Sequence, residues 1–324
     1  MTKRSRRLLG AAAVSAALMG VTGCLDYTIE TTLREDGTGA RVERMEVTRN
    51  SDFDLPAADF RVLTRSRGRG WTPGTRVDSD GDTTWVLERR NDIGRLGEWA
   101  DPSRGTLILG ALPSKADERV GYVRLGDVAF RSSIQVGVTR RSDGTSMVSY
   151  RESFLWDQAA DALVEFILQS LDRSLRARYS RLTEGERGSV LGFARARIWV
   201  AGEEGLFFGE NEDEAIARAA EQTAAQAVKI VRVRYPEATA DELREMIATI
   251  MSLEDGAVER LFVELLPGLN LAFNTKMVFR LTLPGTVGTT NAQHRSGNTL
   301  EWEFSPMDNL TKPLEVFAEA VVGG

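Results

Sequence analysis

The hydrophobic pattern of the first half of the chain has a period of two, which is typical of strands that bury one face. Apolar positions from Tyr27 to Leu33 alternate with polar ones, and Asp36-Gly37 separates this run from a second alternating run. The same arrangement recurs around Asp80-Gly81 and Asp143-Gly144. Asp-Gly between two alternating runs is a strong hairpin signal, because glycine adopts a positive φ without steric cost. The pattern therefore predicts three hairpins of an antiparallel sheet.

Between Leu155 and Gly268 the spacing of apolar residues changes to three or four, the period of a helix. One apolar stripe runs through Trp156, Ala160, Leu163, Ile167, Leu171 and Leu175. A second helix is predicted to begin near Glu212 and to stop before Pro236. Within this block we assign Phe193–Val200 to a strand.

Two more helices are predicted before residue 268. Thr239 and Glu242 have the spacing of a capping box, in which each side chain binds a backbone N–H at the start of a helix. The last predicted helix covers Val258–Leu265 and is ended by Pro267-Gly268.

Strand patterns return at Met277–Leu283, Leu300–Phe304 and Leu314–Val322. Trp302 is expected to be buried, because its neighbours Leu300 and Phe304 share one face of their strand. The order of strands, helices and strands predicts the fold class α+β: an antiparallel β-sheet built from the N- and C-terminal segments, with an α-helical insertion at about 155–268 packed on it. We expect 24–324 to be a single domain.

The first 23 residues have the pattern of a signal peptide. Four cations, Lys3, Arg4, Arg6 and Arg7, precede an apolar run at 8–21 that is too short to span a membrane permanently. Val21-Thr22-Gly23-Cys24 resembles the lipobox of bacterial lipoproteins. That resemblance implies cleavage after Gly23, fatty acylation of Cys24 and anchoring in a membrane through the acyl chains. Cys24 is the only cysteine in the chain, so it has no partner for an internal disulfide.

The charge balance disfavours two kinds of partner. Without residues 1–23 the chain keeps 37 cations and 47 anions, a net charge of −10. An acidic body of this kind does not suit nucleic acid, which binds clustered cations, and it does not suit flat adsorption to anionic lipid headgroups. We predict a location in the cell envelope, outside the cytoplasmic membrane. In a host with two membranes, resemblance to enteric lipoproteins implies the outer one, because Leu25 stands where those proteins carry the Asp linked with inner-membrane retention.

Few residues suggest catalysis. His294 is the only histidine and lies in a polar stretch, so a catalytic triad or a zinc site lacks its other members. Asp78, Asp80 and Asp82 alternate as in a calcium loop, but the glycine and the final glutamate of that motif are out of place. We predict no metal and no cofactor. A carboxylate pair that hydrolyses an envelope polymer remains the alternative, because 47 acidic residues offer many pairs.

The C-terminal segment resembles a known family. Leu283-Pro284-Gly285, Thr290-Asn291, Gly297–Leu300 and Trp302 follow a strand in the order of the LppM-type lipoprotein domain of bacterial envelopes. Cys24 followed by a strand and Asp36–Gly39 is similar to the start of that domain. The resemblance implies an α+β domain displayed outside the cytoplasmic membrane that binds a lipid or glycolipid. The long helical insertion and the lack of a C-terminal membrane span depart from the type member.

Together these patterns predict a membrane-anchored lipoprotein whose body is a non-enzymatic binding or scaffolding module. Its partner would be a lipid, a glycolipid or another envelope protein. Candidate ligand-binding residues are those of the apolar stripe: Trp156, Leu163, Ile167 and Leu171.

Overall fold

The structure is a computed structural model that describes residues 25–48, 71–77, 83–93, 106–110, 116–204, 211–252 and 275–323. The chain divides into two compact units. The β unit consists of residues up to 113, 130–155 and 268 onwards, and the helical unit consists of 114–129 and 156–267. The α+β fold class predicted from the sequence is confirmed, and the N- and C-terminal segments supply the sheets.

The larger sheet of the β unit has the strand order β12-β13-β10-β1-β2-β4-β3. Its strands are β1 (Leu25–Leu33), β2 (Gly39–Thr48), β3 (Trp71–Val77), β4 (Thr83–Ile93), β10 (Thr275–Thr282), β12 (His294–Ser296) and β13 (Thr299–Phe304). The C-terminal strands β10, β12 and β13 therefore complete the sheet that the N-terminal strands begin, as predicted. One pair departs from the antiparallel pattern, since β1 and β10 run parallel with Ile29 opposite Phe279. These two strands come from opposite ends of the sequence, so no hairpin turn dictates their relative direction.

The second sheet has the strand order β11-β14-β9-β8-β5. Its strands are β5 (Thr106–Gly110), β8 (Ala129–Arg140), β9 (Ser146–Asp157), β11 (Thr286–Thr290) and β14 (Leu314–Val322).

Two of the predicted hairpin turns have the same chemistry. Asp36 Oδ1 accepts hydrogen bonds from the backbone N–H and the hydroxyl of Thr38, at 2.9 and 2.7 Å. Asp143 Oδ1 accepts the equivalent pair from Thr145, at 3.0 and 2.7 Å. In each turn a glycine lies between the Asp and the Thr and has a positive φ, +79° for Gly37 and +87° for Gly144. Glycine adopts this conformation without steric cost, which explains the Asp-Gly-Thr sequence. The turn around Asp80 lies outside the described residues, although its strands β3 and β4 pair as predicted.

Aromatic side chains fill the space between the two sheets. Phe154 of the smaller sheet contacts Phe279 and Phe304 of the larger one, with ring centroids 6.1 and 5.0 Å apart. Trp302 packs on Phe279 at 5.5 Å and is only 4% exposed, which confirms the prediction that it is buried.

The helical unit contains a small hairpin and the helices α1 (Ala159–Arg178), α2 (Glu184–Glu203), α3 (Glu212–Val231) and α4 (Ala240–Met251). The hairpin is formed by β6 (Arg119–Val120) and β7 (Val123–Arg124) and contacts α1. The capping box of α4 is confirmed, because Thr239 and Glu242 exchange both hydrogen bonds.

The strand predicted at Phe193–Val200 is wrong, because these residues belong to α2. The buried positions of α2 include Val190, Ala194 and Ile198, spaced by four as in a helix. The helix predicted at Val258–Leu265 lies outside the described residues.

Candidate functional site

The predicted ligand-binding stripe is buried. Trp156 follows the β unit at the end of β9, and Leu163, Ile167 and Leu171 lie on α1. All four side chains are at most 5% exposed. The first half of α1 is buried on nearly every side, as expected of a central core helix. Ligand binding by these residues stays a prediction.

His294 lies at the exposed edge of the larger sheet. It begins the short strand β12 and pairs with Glu301 of β13. The residue directly opposite it is therefore a partly exposed carboxylate. Within the described ranges, no three His, Cys, Asp or Glu side chains converge as a metal site requires. Gly23, Cys24 and the Asp78–Asp82 segment lie outside those ranges.

The interior of the β unit contains a charged cluster that the sequence patterns did not reveal. Arg41 of β2 is completely buried. Its Nη1 and Nη2 atoms each lie 2.9 Å from a different oxygen of Glu152 on β9, and its Nε lies 2.9 Å from Glu43 Oε1. The Tyr150 hydroxyl donates to Glu152 Oε2 at 2.6 Å. One guanidinium therefore joins the two sheets through a bidentate ion pair.

The remaining carboxylate oxygen of the cluster is also occupied. Glu43 Oε2 accepts from the Tyr27 hydroxyl at 3.1 Å and from Arg89 Nη2. All four oxygens of Glu43 and Glu152 thus bind protein donors. The two arginines balance the two carboxylates, so the cluster has no net charge. We call these four charged residues with Tyr27 and Tyr150 the inter-sheet ion cluster.

The electrostatics of the inter-sheet ion cluster keep Arg41 and Glu43 charged. Burial by itself raises the pKa of Glu43, but the charges of Arg41 and Arg89 outweigh burial and hold that pKa below its usual value. Burial lowers the pKa of Arg41, but Glu152 and Glu43 outweigh it and hold that pKa well above the usual value. Burial and then Glu152 raise the pKa of the Tyr150 hydroxyl. Glu43 is therefore unsuited to donate a proton, and the oxygens of both carboxylates are already bound to protein donors.

The helical unit has its own buried carboxylate. Glu165 of α1 forms an ion pair with Arg195 of α2. Gly121, in the turn between β6 and β7 with φ +59°, lies directly against it, since a Cβ there would be 1.9 Å from Glu165 Oε2. One helical turn earlier, Asp161 accepts a hydrogen bond from Tyr122. That hydrogen bond is the main reason why the pKa of Tyr122 rises to about 12.

The outer face of the larger sheet is covered by alternating charges. Its ion pairs include Lys276–Glu303 at 2.9 Å, Arg280–Glu301 at 2.6 Å, Arg280–Glu30 at 3.2 Å, Arg44–Glu88 at 2.8 Å and Arg76–Glu46 at 3.0 Å. These side chains are partly exposed, so each pair contributes little to stability. They form a polar surface rather than an apolar one.

One pair on this face has two acids together. Asp26 of β1 lies directly opposite Glu46 of β2, the position at which Cβ atoms are about 4.5–5.5 Å apart. Partial burial and then the charge of Glu46 raise the pKa of Asp26, while Lys276 lowers it. The hydrolase alternative needs two acids, one of them with a raised pKa, and this pair has both features.

Two open concavities lie on the outer faces of the sheets. The one on the larger sheet has a volume of about 430 Å³ and is lined by Thr72, Pro73, Gly74, Val86, Glu88 and Arg90. Glu46 pairs with Val86, so this concavity is next to the acid pair. The other, on the smaller sheet, has about 350 Å³ and includes Gln135, Gly137, Ser149, Arg151, Phe317 and Glu319 in its lining. Both are bordered by polar and charged side chains.

The residues behind the family resemblance have structural roles. Leu283 and Asn298 close the end of the antiparallel pair formed by β10 and β13: Asn298 Nδ2 donates to Leu283 O at 2.7 Å, and Leu283 N donates to Asn298 O at 3.1 Å. Gly285 has φ +75°, and a Cβ there would lie 2.3 Å from Val321 O. Glycine is therefore required at this turn by both conformation and space.

Asn291 connects the two sheets. Its Oδ1 accepts from Trp302 Nε1 at 3.0 Å and from Phe317 N at 2.9 Å, and its Nδ2 donates to Glu315 O at 2.8 Å. Trp302 belongs to the larger sheet and the other two residues to the smaller one. The Leu-Pro-Gly, Asn and Trp elements of the signature thus stabilise the sandwich.

Comparisons with known proteins add little. No family model and no curated protein matches the chain. Among solved structures, the NMR structure of the folded domain of Mycobacterium tuberculosis LppM matches over 93% of this chain and 92% of that chain, with 9% sequence identity and a TM-score of 0.28. That TM-score does not establish a common fold, so the resemblance to the LppM family stays a prediction. None of the helices in the described residues is long and apolar enough to cross a membrane.

Proposed function

We propose that this chain is a lipid-anchored lipoprotein of the bacterial cell envelope whose body is a non-enzymatic binding or scaffolding module. The observation that carries the proposal is the position of Cys24. Strand β1 begins at Leu25, the next residue, and lies between β10 and β2 in the middle of the larger sheet. Consecutive Cα atoms are about 3.8 Å apart, so acyl chains on Cys24 would hold the end of a central strand at the bilayer without a linker.

The side-chain chemistry supports binding or scaffolding over catalysis. The two carboxylates of the inter-sheet ion cluster, Glu43 and Glu152, are fully buried and have every oxygen bound to a protein donor. Charged pairs on the outer sheet face offer partly exposed donors and acceptors to another molecule. The proposed ligand is a lipid, a glycolipid or an envelope protein with a polar contact surface. Native mass spectrometry of the protein purified from its own host would detect a retained lipid.

The anchor is tested by changing Cys24 to Ser. The variant is expected to lose all incorporation of a clickable fatty-acid analogue, because a hydroxyl does not replace the thiol in lipoprotein acylation. It should accumulate as the uncleaved precursor or leave the membrane fraction. Labelling followed by gel fluorescence measures this, with Leu25→Ala as a control that leaves the thiol in place. Equal label on the wild type and Cys24→Ser would refute the anchor.

The hydrolase alternative has one observation in its favour, the Asp26–Glu46 pair beside a concavity. Glycoside hydrolysis uses two carboxyl groups, one of them with a raised pKa. We expect the purified protein to release no reducing ends from isolated envelope polysaccharide, and Asp26→Asn to behave like the wild type. Glu30→Gln, on the same face of the same strand, is the matched control. Release that Asp26→Asn abolishes and Glu30→Gln retains would establish the hydrolase instead.

A further inference from the structure

Two segments of the helical unit carry cations and no acid, although the chain without its signal has a net charge of −10. Arg173–Thr183, at the end of α1 and in the following turn, contains four arginines. Lys229–Tyr235, at the end of α3, contains one lysine and two arginines. Seven cations are thereby concentrated in 18 residues.

The fold brings the two segments together. The Tyr235 hydroxyl accepts a hydrogen bond from the backbone N–H of Arg181 at 2.7 Å. The Arg181 guanidinium lies 4.2 Å from the centre of the Tyr235 ring, and Tyr179 contacts that ring edge-on at 5.2 Å. These contacts join the end of α3 to the turn between α1 and α2. We call the joined segments, Arg173–Thr183 and Lys229–Tyr235, the basic end.

The cations of the basic end face solvent, and several have no acidic partner. In the described part of the chain, no acidic side chain forms an ion pair with Arg173, Arg181, Lys229 or Arg232. The other three arginines have one carboxylate partner each and stay about half exposed: Arg176 with Asp172, Arg178 with Glu242 and Arg234 with Glu186.

An apolar side chain is displayed among these cations. Val233 is 70% exposed and lies between Arg232 and Arg234. Neighbouring cations and an exposed aliphatic group suit the boundary between lipid headgroups and acyl chains, where arginine binds phosphate and the apolar group enters the hydrocarbon. An acidic protein would match the cations but would leave Val233 unexplained.

We propose that the basic end docks on the anionic phospholipid headgroups of a bilayer. This surface adds to the proposed function and rests on it only for delivery of the chain to a membrane. Cations close to an anionic leaflet are attracted within about one Debye length, roughly 10 Å at 0.1 M salt. Each Lys or Arg near the surface strengthens binding to an anionic bilayer by about fivefold. The acyl anchor holds the chain on a bilayer, and the basic end selects anionic lipid there.

The test uses the mature lipoprotein in nanodiscs with a fluorescent reporter at Ala177→Cys, an exposed position between Arg176 and Arg178. Cys24 is the sole natural cysteine and is acylated in the mature protein, so the reporter is the single label. With headgroup-brominated phosphatidylglycerol in the disc, quenching is expected to exceed that with brominated phosphatidylcholine. The difference should disappear at 0.5 M salt. A second label on Cys24 would reveal failure of the anchor separately.

Two matched controls localise the effect. The neutralising variant changes Arg181, Lys229 and Arg232 to Gln and is expected to lose the lipid-dependent difference. The control variant makes the same charge change at exposed positions of the β unit, Arg140, Arg295 and Lys312, and should retain it. A reporter at Ser142→Cys should show no such difference. Any of three results would overturn the proposal. These are equal quenching in the two lipids, equal loss of the lipid-dependent difference in both triple variants, and equal quenching at both reporter positions.

Discussion

Arg41→Met is expected to lower the free energy of unfolding of the β unit by about 3–5 kcal/mol, against a total of about 5–15 kcal/mol for a typical domain. Methionine fills much of the space but leaves Glu152 without its bidentate partner and Glu43 with one arginine fewer. An uncompensated buried carboxylate is costly because the low-dielectric interior does not solvate its charge. Denaturant unfolding followed by tryptophan fluorescence measures the loss.

Two controls separate the lost ion cluster from a general loss of charge. Arg280→Met removes a partly exposed arginine from the outer face of the same sheet and should cost about 0–1 kcal/mol. Adding Glu152→Gln to Arg41→Met removes the orphaned charge and should recover a large part of the stability. A double variant as unstable as the single one would show that packing, rather than charge, explains the effect.

The pH dependence of the Arg41 variant has a defined sign. In the wild type the pKa of Glu43 is lowered by folding, so its contribution is present above the unfolded pKa of about 4.3 and is lost as pH falls through the folded pKa. Without Arg41 the buried carboxylates favour protonation, and their folded pKa rises. The stability difference between wild type and Arg41→Met should therefore shrink on acidification from pH 7 to pH 5. A constant difference would contradict this account.

The inter-sheet ion cluster shows why hydrophobic patterns find strands more readily than they find cores. The turn sequences at Asp36 and Asp143 locate their hairpins because a local hydrogen-bond pattern determines them. On β2, however, the buried positions include Arg41, Glu43 and Met45, whereas Val42 lies on the opposite face. A polarity pattern therefore points to the wrong face. The register with β1 places Glu43 opposite the buried Ile29, and this pairing is the signal that could have revealed its burial.

The helical unit shows a different reason why prediction from sequence fails. α3 and α4 were predicted well because an acidic first turn and a capping box mark where they begin. In α2 the residues Phe193, Trp199 and Val200 are β-formers and obscure a helical repeat built largely from small side chains. Its capping box, Thr183 with Glu186, is confirmed by reciprocal hydrogen bonds and could have identified the helix from sequence.

Candidate functional residues could be predicted from the sequence only where the residues that define the site are consecutive in the chain. Cys24 is predicted to be a lipidation site from its four-residue context and the signal-peptide pattern before it, and this stays a prediction. The basic end joins segments about fifty residues apart, and the Asp26–Glu46 pair depends on strand register. Neither has a sequence motif of its own. The family signature around Trp302 is local, but its residues carry hydrogen bonds that hold the sandwich together, so it predicts the fold more directly than any ligand.

Trp302→Ala is expected to destabilise the β unit by about 3–5 kcal/mol. The indole is nearly fully buried, packs on Phe279 with 5.5 Å between ring centres, and donates to Asn291 Oδ1 at 3.0 Å. Truncation removes this packing, leaves a cavity between the sheets and frees an amide that also binds the backbone of Phe317. Thermal unfolding measured by circular dichroism should show a fall in the midpoint.

Trp302→Phe distinguishes packing from the hydrogen bond, because phenylalanine keeps a ring in the core and loses the Nε1 donor. It should recover more than half of the lost stability, since a single hydrogen bond contributes about 0.5–1.5 kcal/mol. Glu303→Ala, on the outer face of the same strand, should change the free energy of unfolding by no more than about 0.5 kcal/mol. If Trp302→Phe were as unstable as Trp302→Ala, the link from Trp302 through Asn291 to the smaller sheet would be the dominant contribution. An unchanged midpoint in Trp302→Ala would contradict the burial of the indole, and Trp302 would then become a candidate ligand contact.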